Sequence, residues 1–286
     1  MTRNHKDRRQ EDALIRENIR AHDRIYRQYE GSHGKIYNPV EQERLHRTVA
    51  QAKAYVSTSS SIKSALDFGC GPGNLPRHFL ELGFRVTAAD VSRKFLDLIA
   101  ERYGPKVTRV ELNGRDLCQM DENSFDFVGA YSVLHHIPDY LSAVRELVRL
   151  TGPGGIVYID HEVLEIYVKP NAAYSEFWQL AVPGAPRTWR RFLEPSRYLA
   201  RLRNLPSKAR LWINPRYMLE GDIHIWPDDH IEWDKIEQVL AAESCTVVMK
   251  EDYLLFRPWY LPEVYDRYRN RLSDMRVLAA RKGALC

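Results

Sequence analysis

Short apolar runs alternate with amphipathic segments through the middle of the chain, from residue 64 to residue 160. The apolar runs predict five strands: Ser64–Phe68, Phe84–Ala89, Val107–Leu112, Phe125–Tyr131 and Ile156–Asp160. The segments between them predict three helices: Asn74–Leu82, Ser92–Tyr103 and Asp139–Leu150. Alternation of strand and helix is typical of a parallel sheet that helices cover on both faces.

The flanking regions have different patterns. Two N-terminal helices are predicted at Gln10–Gln28 and Pro39–Val56, followed by a short Ser/Thr linker. Near the other end, a helix from Asp228 or Asp229 to Ala242 precedes strands at Cys245–Phe256 and Met275–Ala280. The interval between residues 163 and 227 is rich in Pro, Arg and aromatic residues. A structureless loop of that length is improbable in a compact domain, so it predicts a cap with helices of its own.

Composition places the chain among ordinary globular proteins. Its 286 residues are 44% hydrophobic and 28% charged, which allows one substantial core and excludes collagen-like, coiled-coil and disordered classes. The first thirty residues carry eight Lys/Arg and six Asp/Glu, which does not fit a signal peptide. Four scattered cysteines lack metal-ligand spacing and favour reduced thiols. These observations predict a cytoplasmic protein.

A glycine-rich turn, Leu66–Asn74, follows the first predicted strand. Glycines permit positive φ and let a ligand lie against the backbone. The spacing fits a dinucleotide fingerprint poorly because Asn74 stands where the third glycine belongs, and the Lys-Ser/Thr pair of a P-loop is absent. Asp90 ends the second strand, where a carboxylate can accept both ribose hydroxyls, and Asp116 follows the third. Together they predict a pocket for an adenosine without phosphates.

Five motifs in order carry a family resemblance: Ala65–Asn74, Ala88–Ser92, Arg115–Leu117, Phe125–Pro138 and Gly152–Ile159. The chain resembles the class I S-adenosylmethionine-dependent methyltransferases. The resemblance covers roughly Tyr29–Glu162 and Asp228–Arg281, and it implies a doubly wound, mainly parallel α/β sheet of seven strands with an N-terminal helical lid. The mostly helical cap predicted above is unmatched and is inserted into this fold. We therefore divide the chain into a lid and linker (1–61), a cofactor-binding core (62–162), a substrate cap (163–227) and the end of the core (228–286).

The resemblance also implies roles for single residues toward S-adenosylmethionine, which would leave as S-adenosylhomocysteine. The methionine part of the cofactor would be lined by Asp67, Gly69 and Gly71. The adenosine part would contact Asp90 at its ribose, and Val91, Asp116 and Leu117 at its adenine. The backbone of Tyr131 would face the amino group, and Tyr29 and Tyr37 are candidates on the N-terminal lid.

Methyl transfer needs a general base only if the acceptor loses a proton as it attacks. Substrates of open α/β sheets lie beyond the carboxyl ends of the strands, which makes His135 and His161 candidates. His161 is the better one, because helix capping or cofactor packing explains a His-His pair after the fourth strand. No metal site is predicted, since the sequence lacks the metalloprotease spacing and the Asp-Asn ligand pair of catechol-type enzymes.

The predicted cap indicates the acceptor. Its many aromatic residues favour a small, lipophilic or aromatic biosynthetic metabolite. Nine basic residues against one acidic residue between Gly184 and Tyr217 suggest an anionic group on that metabolite or, alternatively, peripheral membrane contact through residues 186–217. Nucleic acid is disfavoured because the Asn/Asp-Pro-Pro-Tyr motif is absent after strand four. The alternatives are an RNA or protein methyltransferase and a non-catalytic cofactor-binding protein; the sequence does not indicate the oligomeric state.

Overall fold

The computed structural model describes residues 5–57, 63–182 and 231–283. Their strands are β1 (Ser64–Phe68), β2 (Arg85–Asp90), β3 (Val107–Glu111), β4 (Phe125–Tyr131), β5 (Thr151–Val163), β6 (Cys245–Tyr253) and β7 (Met275–Lys282). Their α-helices are α1 (His5–Ile25), α2 (Tyr29–Ser32), α3 (Pro39–Lys53), α4 (Asn74–Glu81), α5 (Arg93–Tyr103), α6 (Tyr140–Leu150), α7 (Glu165–Val168), α8 (Ala172–Ala181), α9 (Trp233–Ala242) and α10 (Pro262–Tyr268).

The strands form one seven-stranded sheet in the order β3-β2-β1-β4-β5-β7-β6. The first five strands are parallel, and β7 runs antiparallel between β5 and β6. Strand order reverses between β1 and β4, and the space beyond the carboxyl ends of the strands at such a switch point is where open α/β sheets bind ligands. The predicted doubly wound, mainly parallel sheet is confirmed.

Both faces of the sheet are buried beneath helices. Helices α3 and α4 pack on one face of the sheet, where Leu45 of α3 and Phe79 of α4 share a buried cluster with Tyr158 of β5. The opposite face packs α6 and α9 through side chains such as Leu147 and Ile236. Burial on both sides explains why the central strands read as continuous apolar runs rather than as alternating patterns.

Several element boundaries differ from the sequence prediction. β5 begins at Thr151 rather than Ile156, because the glycines at 152, 154 and 155 lie within an irregular start of the strand and not in a loop. Helix α9 begins at Trp233, with Glu232 as N-cap, rather than at Asp228 or Asp229, which lie outside the described residues. Helix α10 was not predicted.

The N-terminal helices lie against the core. From α1, the Asp23 carboxylate accepts a hydrogen bond of 2.6 Å from Ser92 Oγ, at the start of α5. Helix α3 begins at Pro39, with the Asn38 side chain accepting from the Glu41 N–H, as expected for an N-cap residue. The predicted N-terminal segment therefore covers the carboxyl side of the sheet near β2.

Only the first part of the predicted cap lies within the described residues. There, α8 buries Tyr174 and Phe177 against Tyr260, Val264 and other residues that follow β6. The basic run and the membrane contact predicted at residues 186–217 lie outside the described residues. In the part of the chain that the structure describes, no helix is long and apolar enough to cross a bilayer.

Candidate functional site

The glycine-rich turn after β1 leaves open space beside its backbone. Gly69 and Gly71 have φ of +71° and +47°, in the left-handed region that favours glycine. The N–H of Gly69 donates to the carbonyl of Ala89 across 2.8 Å, which ties the turn to β2. A Cβ at Gly69 would lie 2.3 Å from Val133 Cγ2, whereas no atom lies within 4 Å of one at Gly71. The space beside Gly71 is therefore open, whereas a side chain at position 69 would overlap Val133.

Asp90 ends β2 beside this turn and is 7% exposed. Its carboxylate accepts a hydrogen bond from Gly71 N at 2.9 Å and another from Ser92 N at 2.7 Å. Burial raises the pKa of Asp90, and these two hydrogen bonds oppose that rise. The next residue, Val91, is partly buried and packs on the core cluster beneath α6 and α9. The two neighbours thus present a carboxylate and an apolar surface at one strand end.

Asp67 supplies a second buried carboxylate, on β1. It is 2% exposed, and no hydrogen-bond donor reaches it from the described part of the chain. Burial raises the pKa of Asp67 well above its ordinary value, and the nearby charge of Asp90 raises it further. A buried carboxylate without donors is unfavourable unless a ligand satisfies it. Asp67 is therefore suited to a ligand that donates hydrogen bonds or carries positive charge.

The turn after β3 holds Asp116 and Leu117. Leu117 is buried, while Asp116 is exposed and accepts a hydrogen bond of 2.8 Å from Asn113 Nδ2. Hydrogen bonds from Cys118 and Asn113 lower the pKa of Asp116. Asp116 is thus engaged in its own turn, and Leu117 is the apolar contact that this turn offers.

The N-terminal segment adds a residue that sequence analysis missed, His22. Its ring lies 5.2 Å from that of His136 and 5.9 Å from that of Phe95, between centroids. His22 also lowers the pKa of Asp90, which places its charge beside the pocket. No sequence motif marks His22. Its place beside the pocket follows from its neighbour Asp23, which accepts a hydrogen bond from Ser92.

The two predicted lid tyrosines lie in different places. Tyr29 stacks on His33, with centroids 3.8 Å apart, and its ring meets that of Phe95 edge-on. Tyr37 packs on the core cluster beneath α3 and α4. Burial raises the pKa of the Tyr37 hydroxyl, and the Glu30 and Asp67 carboxylates raise it further. Tyr37 is thus the lid tyrosine that lies near Asp67.

At the carboxyl end of β5, Glu162 anchors the turn that follows β4. Glu162 is 1% exposed, and one of its oxygens accepts from Val133 N at 2.9 Å and Leu134 N at 2.7 Å. The other oxygen lies 2.8 Å from His135 Nδ1. His135, a predicted catalytic candidate, is thus held in a structural contact.

His161 lies at an irregularity of β5 and has φ of +62°, a backbone conformation uncommon for residues other than glycine. Its Nδ1 is 3.1 Å from the hydroxyl of Tyr131, and its buried Nε2 has no hydrogen-bond partner among the described residues. Burial lowers the pKa of His161 well below its ordinary value, and the charges of Lys35 and Arg44 lower it further. The imidazole is therefore neutral at pH 7.

A buried polar network beside His161 was not predicted. Asp160 is fully buried and accepts hydrogen bonds from Tyr158, Tyr253 and Arg44, the last across 3.1 Å. The Arg44 guanidinium lies 3.7 Å from the centre of the Tyr253 ring and also pairs with Glu41 at 2.9 Å. Arg44 and Asp160 are 116 positions apart in the chain, so no local spacing indicates this pair.

Comparison with known proteins adds to this geometry. Residues 66–159 match the family described as "Methyltransferase domain". A protein of Ralstonia nicotianae named "Ubiquinone biosynthesis O-methyltransferase" is 31% identical over 175 residues, which cover 57% of this chain and 73% of that protein. The chain belongs to the class I S-adenosylmethionine-dependent methyltransferases.

Solved structures share the fold of this methyltransferase. An S-adenosylmethionine-dependent methyltransferase from Mesorhizobium loti superposes with a TM-score of 0.52 at 16% identity, covering 82% of this chain and 96% of the other. A methyltransferase from Methanosarcina mazei gives 0.50 at 16% identity, covering 82% and 97%. The predicted family, fold and enzyme class are confirmed.

S-adenosylmethionine is the cofactor of this methyltransferase, and the site fits its chemistry. The molecule carries positive charge on its sulfonium and amino groups, and its ribose offers hydroxyl donors. Two buried carboxylates, one of them without donors, suit those groups, and the space beside Gly71 admits a ligand against the backbone.

Proposed function

We propose that this methyltransferase methylates a hydroxyl oxygen of a small, lipophilic or aromatic metabolite. The observation that carries the proposal is the neutral, buried His161 near the carboxyl end of β5, whose Nε2 has no hydrogen-bond partner within residues 5–57, 63–182 and 231–283. A hydroxyl acceptor must lose its proton as the oxygen attacks, so it needs a base, whereas an already nucleophilic amine does not. The name of the Ralstonia relative, an O-methyltransferase of ubiquinone biosynthesis, supports the same acceptor class.

The cofactor assignments rest on the geometry of the pocket. Asp90 holds the ribose, Asp67 faces the positively charged methionine part, and the backbone of Gly69, Gly71 and Tyr131 lines the rest. Val91 and Leu117 provide apolar contacts for the adenine. The Asp116 carboxylate accepts a hydrogen bond from Asn113, so it helps to shape the turn that places Leu117 against the adenine. Tyr29 and Tyr37 are the residues of the N-terminal lid that would face the cofactor, and the charge of Asp67 contributes to the raised pKa of Tyr37.

When bound, S-adenosylmethionine supplies a methyl group on a sulfonium, already activated for displacement. The protein has to align the acceptor and remove its proton. If Nδ1 of His161 carries the hydrogen and donates to the Tyr131 oxygen, Nε2 presents a lone pair to the acceptor. The acceptor oxygen would take the methyl group that S-adenosylmethionine supplies, and Nε2 of His161 would accept the hydroxyl proton. His135 is a positioning residue, because Glu162 engages its Nδ1.

A labelled-methyl experiment tests the acceptor class. The protein is incubated with methyl-labelled S-adenosylmethionine and an extract of its source organism, and the label is partitioned between organic, aqueous and macromolecular fractions. We expect label in the organic phase, in a product whose methyl ether bond survives mild base. Label in the macromolecular fraction would favour RNA or protein methylation instead, and label only on polar products would overturn the lipophilic acceptor.

A further inference from the structure

Three side chains from two helices converge on the face of α4 that packs against α3. His46 lies on α3, and His78 and Glu81 lie one turn apart on α4. The distance from His46 Nδ1 to His78 Nδ1 is 3.3 Å, and that from His46 Nδ1 to Glu81 Oε2 is 3.4 Å. The third distance, from His78 Nδ1 to Glu81 Oε2, is 3.8 Å. None of these residues belongs to the pocket described above.

Two of these three distances match the edges of a metal-coordination tetrahedron, and the third, 3.8 Å, is slightly longer. Zinc binds imidazole nitrogen and carboxylate oxygen at about 2.0–2.2 Å, so two ligand atoms on a tetrahedron lie about 3.3–3.5 Å apart. A hydrogen bond donated by His46 explains its contact with one neighbour. It does not explain why His78 and Glu81 also turn their acceptor atoms toward the same point.

The other ring nitrogen of His78, Nε2, lies beside Gln42 and Arg77. Gln42 Nε2 donates to the carbonyl of Ile36 across 3.0 Å, which turns the Gln42 amide oxygen toward His78. That oxygen lies 3.0 Å from His78 Nε2 and also accepts from Arg77. The Gln42 contact calls for a hydrogen on His78 Nε2, whereas Arg77 Nη2, which can only donate, lies 3.2 Å from the same nitrogen and calls for a lone pair there. In the tautomer that donates to Gln42, Nδ1 presents its lone pair to His46 and Glu81. An outer hydrogen bond of this kind is typical of metal-binding histidines.

The three side chains differ in exposure. That of His78 is 3% exposed. The partners are accessible, with side-chain exposures of 41% for His46 and 52% for Glu81. An ion can therefore enter from solvent and keep a water molecule in its fourth position.

We propose that His46, His78 and Glu81 form a binding site for a divalent transition metal, zinc first, that joins α3 to α4. Two imidazoles and one carboxylate suit zinc better than the all-oxygen sites that calcium and magnesium prefer. The bound ion fixes the N-terminal helix that carries Arg44 to the helix that follows the glycine turn. Spacing rules miss this site, because its histidines lie on separate helices, 32 positions apart.

Cobalt and zinc titrations of the tag-free, chelator-treated protein test the site. We expect one equivalent of Co²⁺ to give the intense visible bands of tetrahedral coordination, and Zn²⁺ to displace it and raise the melting temperature. His46→Asn and Glu81→Gln should each weaken Zn²⁺ binding at least tenfold, measured against a chromophoric chelator. Glu43→Gln, an exposed change on α3, is the matched control and should bind as the wild type does.

Two results would overturn the proposal. One is a wild-type protein that shows no tetrahedral cobalt spectrum and competes for no zinc. The other is zinc affinity left unchanged in both His46→Asn and Glu81→Gln, which would place the ion elsewhere. Melting temperatures of all variants in chelator separate a loss of binding from a loss of folding. Neither result bears on the proposed acceptor, since the readouts do not involve methyl transfer.

Discussion

His135 Nδ1 lies 2.8 Å from Glu162 Oε2, and both side chains are buried. The same carboxylate accepts the N–H groups of Val133 and Leu134, so one side chain of β5 holds the whole turn after β4. Charge-assisted hydrogen bonds to backbone N–H groups are among the stronger polar contacts in proteins.

Glu162→Ala should lower the free energy of unfolding by about 3 kcal/mol, because it leaves buried donors without an acceptor. Urea denaturation followed by circular dichroism measures this. Glu165→Ala, three positions away at an exposed residue of α7, is the matched control and should change stability by about 0.5 kcal/mol at most. Equal losses in both variants would show that Glu162 is not an anchor.

Asp90→Ala should weaken S-adenosylmethionine binding by about 2 kcal/mol or more, since it removes charge-assisted hydrogen bonds to the ribose. Calorimetry on the purified protein gives the affinity. Asp97→Ala, at an exposed position on α5, should bind the cofactor as the wild type does. An unchanged affinity in Asp90→Ala would mean that the ribose lies elsewhere.

Cofactor binding should release a proton from Asp67. Burial and the charge of Asp90 raise the pKa of Asp67 well above its ordinary value, so at a given pH Asp67 binds more protons than an exposed aspartate does. Positive charge on the cofactor favours the carboxylate, so affinity should rise with pH up to the pKa of the free form. Calorimetry in two buffers of different ionisation enthalpy detects the released proton, and Asp67→Asn should abolish its share.

The same shift has a consequence for stability. Because the folded-state pKa of Asp67 lies above the unfolded one, its contribution is greatest at acidic pH and falls as pH rises through the folded-state pKa. Cofactor should therefore raise the melting temperature more at alkaline than at mildly acidic pH. A cofactor effect independent of pH would contradict the assignment.

His161→Asn should lower kcat about 100-fold or more with a phenolic acceptor, since it removes the proposed base. Asparagine tolerates positive φ, so the backbone at this position should be kept. Cofactor affinity should stay near the wild-type value. Because the pKa of His161 is lowered, the wild-type rate should show no inflection near pH 6.5 from this residue. Full activity in His161→Asn would make His161 a structural residue.

Alanine substitutions at two glycines distinguish the stability cost of backbone strain from that of a steric clash. Gly83→Ala, at φ of +78° with no atom within 4 Å of the new Cβ, should cost about 1 kcal/mol of stability. Gly69→Ala should cost clearly more, because its Cβ would overlap Val133, whose N–H is bound to Glu162. Thermal unfolding of the two variants gives the comparison. Equal losses of stability in the two variants would mean that Val133 and the turn after β4 shift to accommodate the added methyl group.

The fold was predictable from sequence wherever local signals decide it. β1 and β4 have the predicted bounds because strands buried on both faces are continuous apolar runs between polar turns. Ser92, the first residue of the predicted helix, is the N-cap of α5, and its hydroxyl accepts from Phe95 N. The extended start of β5 was missed, since its glycines and proline resemble a loop.

The site was predictable only in part. Asp67, Asp90 and Gly71 were named from motif order, and the structure brings them together. The contacts of Arg44 with Asp160 and of Glu162 with Val133 join segments distant in sequence, and so does the His46–His78 pair. The side-chain directions that make these contacts depend on packing between elements, which spacing along the chain does not encode.

The antiparallel strand β7 lies between β5 and β6, although it follows both in sequence. On the ribosome, β5 therefore has an open edge and β6 has no place in the sheet until residues 275–282 have left the exit tunnel. During that interval the nascent chain exposes unpaired strand backbone, which is a surface that chaperones and neighbouring chains recognise. The yield of folded enzyme in a cell should therefore depend on how soon β7 follows β6 out of the ribosome.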